Sequence, residues 1–127
     1  MATTERLFGY FGSSTGAASA LRAAVHLPRR ILGVVSRGGR TDLVGDSLSE
    51  VWAAKLLIVG QLDEDLLTLN QEASEGLPGP KSLIVIESAT HLFEESGTLG
   101  EVAAEASHWF RLYVLPVSYT IRLRNVA

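Results

Sequence analysis

Four short apolar runs organise this chain: residues 7–11, 31–35, 56–59 and 83–86. Each is closed by glycine or a polar cluster, and none alternates cleanly between apolar and polar residues. Uninterrupted apolar runs of this length suit strands covered on both faces, the condition of a parallel sheet. The intervening stretches carry a different period. Residues 15–25 are alanine-rich, with Leu21 the only bulky aliphatic side chain before Val25, which predicts a flat helix able to lie close against a sheet. Residues 65–75 place Leu66, Leu69 and Ala73 at helical spacing, and residues 99–113 place Val102, Ala103, Ala106, Phe110 and Tyr113 on one face. The alternation predicts a three-layer α/β domain: a short, mostly parallel sheet of about four strands, flanked by helices and joined by right-handed crossovers. The connection over residues 36–54 is weaker, because Gly38, Gly39 and Gly45 interrupt any long helix; only residues 46–52 are expected to coil.

The end of the chain changes period again. Val117, Tyr119, Ile121 and Leu123 alternate with Ser118, Thr120 and Arg122, the pattern of a half-exposed strand. We therefore divide the chain into a domain over residues 1–115 and a tail over residues 116–127, an edge strand or one exchanged with another copy.

Composition narrows the function classes. With 127 residues, 46% hydrophobic and 20% charged, the chain suits one globular domain with a real core. A net charge of −3 with no basic stripe argues against nucleic acid or an anionic membrane as partner. The absence of cysteine removes disulfides, thiolate metal sites and a cysteine nucleophile. No apolar run approaches a membrane span, and the first residues lack the pattern of a secretory signal. The expectation is a cytoplasmic protein.

The first apolar run leads into Gly12-Ser13-Ser14-Thr15-Gly16 and then a helix, a G-x-S-x-G pattern in strand–turn–helix context. A sharp turn there would lift the Ser14 hydroxyl above the sheet edge, with a glycine on each side to avoid collisions with neighbouring backbone. The Thr15 amide at the helix start would face a developing oxyanion. Alone the pattern is weak, since about one chain in ten of this composition carries it by chance. Its company strengthens it. Asp63 follows the third run and His91 the fourth, and the carboxyl ends of parallel strands share one rim, where ligands collect. A serine is a poor nucleophile until a base takes its proton, so His91 would act as base and Asp63 would hold its tautomer. Strands lie about 4.8 Å apart, so Ser14 and Asp63, two strands apart, leave a gap of about 10 Å that one imidazole can bridge. Each residue also has a plainer role: Ser14 and Asp63 as helix N-caps, His91 as a solvated loop residue. His26, at a helix end, and His108, inside the last helix, read as structural. Arg37 and Arg40 could meet an anion, although salt-bridged or solvated arginines are the commoner case.

Taken together, these segments resemble the C-terminal half of an α/β-hydrolase, in the dienelactone hydrolase-like branch. The resemblance covers about residues 6–115: the Gly12–Gly16 elbow, Val34-Val35-Ser36-Arg37-Gly38-Gly39-Arg40, Leu57-Ile58-Val59-Gly60-Gln61-Leu62-Asp63, and Ala89-Thr90-His91-Leu92-Phe93-Glu94-Glu95. It implies ester hydrolysis through an acyl-enzyme on Ser14, without metal or organic cofactor. Dienelactone hydrolases proper use a cysteine, so a serine carboxylesterase for short acyl esters is the better inference. The resemblance also implies strands ahead of the elbow strand that this sequence lacks, and with them a second oxyanion donor. Their absence would leave the elbow strand with a bare edge, which predicts a homo-oligomer. Two other readings stand beside this one: a flavodoxin-like module holding a flavin phosphate on residues 10–16, and a non-catalytic hydrolase remnant that acts by binding a partner.

Overall fold

A computed structural model describes residues 6–116. The predicted strand over residues 117–123 lies outside them. The described elements run β1 (Phe8–Ser13), α1 (Thr15–His26), β2 (Ile31–Arg37), β3 (Ala54–Gly60), α2 (Glu64–Gly76), β4 (Lys81–Ile86) and α3 (Thr98–Tyr113). Two short 3-10 turns, Thr41–Leu43 and Gly45–Glu50, fill the β2–β3 connection in place of the single coil expected at residues 46–52. Gly45, at φ +64, separates them.

The sheet is four-stranded and wholly parallel, in the order β1-β2-β3-β4. This is the predicted α/β architecture. It contradicts the flavodoxin-like alternative, whose order would put the first strand inside the sheet between the second and third. The strands end nearly level: Ser13 pairs with Arg37, Arg37 with Ile58 and Ile58 with Ile84. The loops that follow therefore collect on one rim.

Two cores flank the sheet because alternate residues point to opposite faces. On one face Leu21 and Ala24 of α1 pack with Val34, Leu57, Val44 and Val51. On the other, Val102, Ala106 and Trp109 of α3 pack with Val35, Leu56 and Ile58. The alanine-rich sequence of α1 is what lets it sit flat, with Ala17, Ala18, Ala20 and Ala24 all buried. All seven residues of β3 are buried, as a run covered on both faces requires. The outer strands depart from that expectation. β4 leaves Val85 exposed and β1 leaves Phe8 and Phe11 exposed, because each has a neighbour on one side only among the described residues.

Glycine decides how closely α3 approaches. A Cβ at Gly9 of β1 would lie 2.6 Å from Phe110 ring carbons, and one at Gly33 of β2 would lie 3.0 Å from Val114 Cγ2. The glycines inside these apolar runs are thus seats for the end of α3. Lys55, fully buried in β3, ties two loops at the amino-terminal end of the sheet by donating to the carbonyls of Val51 (2.8 Å) and Pro78.

Candidate active site

At the carboxyl-terminal rim, Ser14 links β1 to α1 with φ 53 and ψ −118. A non-glycine residue at such a φ carries strain of order 1–3 kcal/mol and persists only where its surroundings hold it. Three main-chain bonds do so. Ser14 N–H donates to Arg37 O (3.0 Å), and Ser14 O accepts from Ala17 N–H (3.2 Å) and Arg40 N–H (3.1 Å). The turn also needs Gly12, whose Cβ would sit 2.4 Å from Gly16 O. Gly16 differs from expectation: a Cβ there would meet nothing within 4 Å, so the steric demand for glycine is one-sided. Ser14 holds the N-cap position of α1 but makes no capping bond with its side chain. Its plainer role is therefore unfilled. Thr15 opens the helix, and its amide is one of the first-turn N–H groups that have no acceptor within a helix.

Asp63, between β3 and α2, likewise occupies an N-cap position without a side-chain capping bond. Its carboxylate turns to His91 instead, with Oδ2 2.7 Å from Nδ1. A carboxylate only accepts, so His91 Nδ1 carries the proton and donates it, which leaves the Nε2 lone pair for another partner. Asp63 is mostly buried at 14% side-chain exposure, and His91 is half-exposed at 37%, so the imidazole is braced from below and reachable from above.

Gly38, at φ +53, connects the two halves of the site. A Cβ there would lie 3.0 Å from His91 Cε1 and Nδ1 and 3.9 Å from Asp63 Oδ2. The preceding residue, Arg37, is the one whose carbonyl receives the Ser14 amide. The structure thus brings Asp63 and His91 into direct contact and ties Ser14 to the same loop through the main chain. The Ser14 hydroxyl itself makes no hydrogen bond to His91 in this arrangement.

Several supports escaped the sequence reading. Asn70 of α2, fully buried, donates through Nδ2 to Gly39 O (3.1 Å) and Leu66 O (2.8 Å), joining the helix after Asp63 to the glycine loop. Glu95 accepts from Thr90 N–H (2.9 Å) and Thr90 Oγ1 (2.6 Å), bonds that hold its carboxyl below the usual range and fix the turn carrying His91. Gln61 Oε1 accepts from Ser88 N–H at 2.9 Å. The adjacent Gly38-Gly39 pair after a strand was the visible signal. Asn70 had none, since a lone polar residue on a helix face reads as solvated.

The two rim arginines part ways. Arg40 is salt-bridged to Asp42 at 2.8 Å, the commoner case. Arg37 instead lies over the buried Phe93 ring, 5.4 Å from its centroid, and has no carboxylate partner among the described residues. A cavity of about 320 Å³ lined by His26, Leu27, Pro28, Arg29 and Arg30 lies at the opposite rim, before β2, away from these groups. Among the described residues no helix is long and apolar enough to cross a membrane.

A parallel α/β sheet with a serine on a strained strand–helix turn and an Asp–His pair on the same rim is the arrangement of an α/β-hydrolase fold. Solved structures agree. The chain is similar to a dienelactone hydrolase from Anabaena variabilis, with 50% identity and a TM-score of 0.81 over 83% of this chain and 49% of that one. It shares its fold with the esterase domain of a Rhodothermus marinus protein, at 19% identity and a TM-score of 0.73 over 84% of this chain and 60% of that one. Among curated proteins it is 56% identical, over 102 residues, to two Mycobacterium tuberculosis proteins each described as "Putative phosphoribosyl transferase". The match takes in 80% of this chain but 23% of those proteins, so their name describes far more chain than is present in the match. No family model matches. The described residues have the fold seen in these α/β-hydrolase structures, and the chain spans about half the length of the dienelactone hydrolase it matches.

Proposed function

We propose that this chain carries a serine hydrolase site for short acyl esters, with Ser14 as nucleophile, His91 as base, Asp63 as its orienting carboxylate and the Thr15 amide as an oxyanion donor. The observation that supports it most is the 2.7 Å Asp63–His91 bond beside the loop that holds the Ser14 turn. Ser14 Oγ attacks the ester carbonyl while its proton passes to His91 Nε2. The tetrahedral intermediate collapses, His91 returns that proton to the departing alcohol, and the acyl group remains on Ser14. Water then attacks the acyl-serine, giving its proton to His91, which restores the hydroxyl as the carboxylic acid leaves. Asp63 stays ionised throughout and offsets the charge of the imidazolium. Hydrogen bonds of this kind often form only when substrate is bound, so the scheme requires the Ser14 hydroxyl to meet His91 Nε2 in the bound state.

The rim bears exposed Leu62 and Leu92 near Asp63 and His91, which favours a small, weakly polar acyl or aryl group over a highly charged one. The test is labelling by a fluorophosphonate together with p-nitrophenyl acetate turnover, for the native chain, Ser14→Ala and His91→Ala. The expected result is one label on Ser14, with label and turnover both lost in Ser14→Ala and nearly so in His91→Ala. Labelling that survives Ser14→Ala, or a native chain that neither labels nor turns over, refutes the assignment.

A further inference from the structure

We propose that Arg37 is a positioning residue for His91: its guanidinium seats the Phe93 ring and, through the turn from Thr90 to Phe93, keeps the imidazole on Asp63. Its bearing on turnover rests on the role proposed for His91 above; its effect on the Asp63–His91 pair does not. The starting point is a cation on an apolar face. Arg37 closes β2, and Val35, two residues back, and Ile58, its cross-strand partner, both belong to the core beneath α3. A solvated arginine would carry its head out to water. Arg37 instead keeps Nε buried without an acceptor, and the central carbon of its guanidinium lies 5.4 Å from the centre of the Phe93 ring. Neither ion pair among the described residues includes it. A flat, weakly hydrated guanidinium gains electrostatically on an aromatic face, which an aliphatic side chain cannot do. The ring therefore accounts for where this side chain lies.

Phe93 is itself under constraint. Its φ of +54 is rare for a bulky residue and persists only where the surroundings impose it. Its ring is buried in the core that also holds Ile58 and Val102. Its N–H donates to Thr90 O (3.2 Å), which closes a turn whose two interior residues are His91 and Leu92. Glu95 ties the Thr90 end of that turn, and Leu92 is exposed. Phe93 is thus the buried side chain at the other end, and rocking of its ring passes to the imidazole two residues earlier.

Two consecutive residues at the end of β2 therefore serve the same imidazole. Gly38 gives the ring its berth, since a Cβ there would lie 3.0 Å from His91 Cε1 and Nδ1. Arg37 fixes the turn from which the ring hangs. The Arg37 carbonyl also receives the Ser14 amide, so the strand end that steadies His91 steadies the serine turn as well.

The experiment follows water exchange of the downfield His91 Nδ1–H by NMR and p-nitrophenyl acetate kinetics on the full 127-residue chain, with urea unfolding alongside. The variants are Arg37→Met, Phe93→Leu and the two combined. Methionine keeps an apolar stem and leucine an apolar side chain, so each removes one half of the contact without adding a polar group. A shift of the imidazole by about half an ångström suggests roughly tenfold slower turnover. The proposal expects each single variant to speed Nδ1–H exchange at least about fivefold and to lower kcat roughly tenfold at unchanged KM. The double variant should be no worse than the poorer single one, because both cut the same link. A native exchange rate in Arg37→Met overturns the proposal. Effects that multiply in the double variant overturn it too, since a charge acting directly on His91 would still act without the Phe93 ring. A raised KM at native kcat overturns it in favour of a substrate contact. Where Arg37→Met does not fold, Arg37→Lys keeps the charge without the flat contact, and a native exchange rate there is equally fatal. A native chain without turnover refutes the hydrolase reading alone, and the exchange rates still decide the role of Arg37.

Discussion

Gly38→Ala separates backbone strain from damage to the His91–Asp63 pair, provided it is compared with Gly45→Ala. Both glycines sit at positive φ, +53 and +64. Forcing alanine into that region costs about 1–2 kcal/mol at either site. They differ in what a methyl group would touch. At Gly45 it meets nothing within 4 Å, whereas at Gly38 it sits 3.0 Å from two atoms of the His91 ring. Ordinary carbon contacts begin near 3.5 Å, so the imidazole must retreat by about half an ångström, against an Asp63 bond already at 2.7 Å. A displacement of about 1 Å in a positioned group can reduce turnover 10²-fold, and half of that suggests roughly tenfold. The assays are urea unfolding, p-nitrophenyl acetate turnover and the downfield proton resonance of His91 Nδ1–H. Both variants should lose similar stability. Only Gly38→Ala should lose turnover and shift the resonance. Equal turnover and an unmoved resonance in the two variants would refute the coupling of Gly38 to His91, whatever their stabilities.

Three further outcomes follow from the same geometry. Burial, with the nearby charge of Lys81, pulls the Lys55 ammonium down to about 8 from 10.5. Between those values the unfolded chain holds the proton that the native chain has released, so urea stability should rise with pH, by at most about 3 kcal/mol, and Lys55→Met should flatten the rise. Asn70→Leu removes the buried donor to Gly39 O and Leu66 O and should cost about 1–3 kcal/mol in urea unfolding, with a lower kcat at unchanged KM for the acetate ester. Asp63→Asn should abolish the downfield His91 proton and lower turnover by a smaller factor than Ser14→Ala; a retained resonance would show that Asp63 does not fix the imidazole.

Much of the fold was legible because its signals are local. The four apolar runs became the four strands, and the periodic stretches became α1, α2 and α3, because a buried strand and an amphipathic helix each write their period into contiguous residues. The rim positions of Ser14, Asp63 and His91 followed from the parallel order alone. What escaped depends on partners distant in sequence. Asn70 matters only because Gly39, 31 residues earlier, passes over it, and Gly38 only because a loop some 50 residues later lays an imidazole against it. The same limit explains the glycine seats under α3, which read locally as flaws in strands, and Gly16, which reads as obligatory and is sterically free. Edge exposure in β4 was hidden for a related reason, since strand order does not appear in the composition of any one strand; that of β1 was expected only from the resemblance.

The rim loops are laced to one another through the peptide backbone: Ser14 to Arg37 and Arg40, Gly38 to Ile58, Leu62 to Ala89. Bonds of this sort do not depend on which side chains the loops carry. Substitutions across the outer surface of the rim can therefore change its side chains while the main-chain turns that carry Ser14, Asp63 and His91 stay in place. The exceptions are the few spots without room for a methyl group, Gly12, Gly39 and Gly60 among them. Variation in such a scaffold is channelled toward the outer side chains of the rim and away from the backbone turns beneath them.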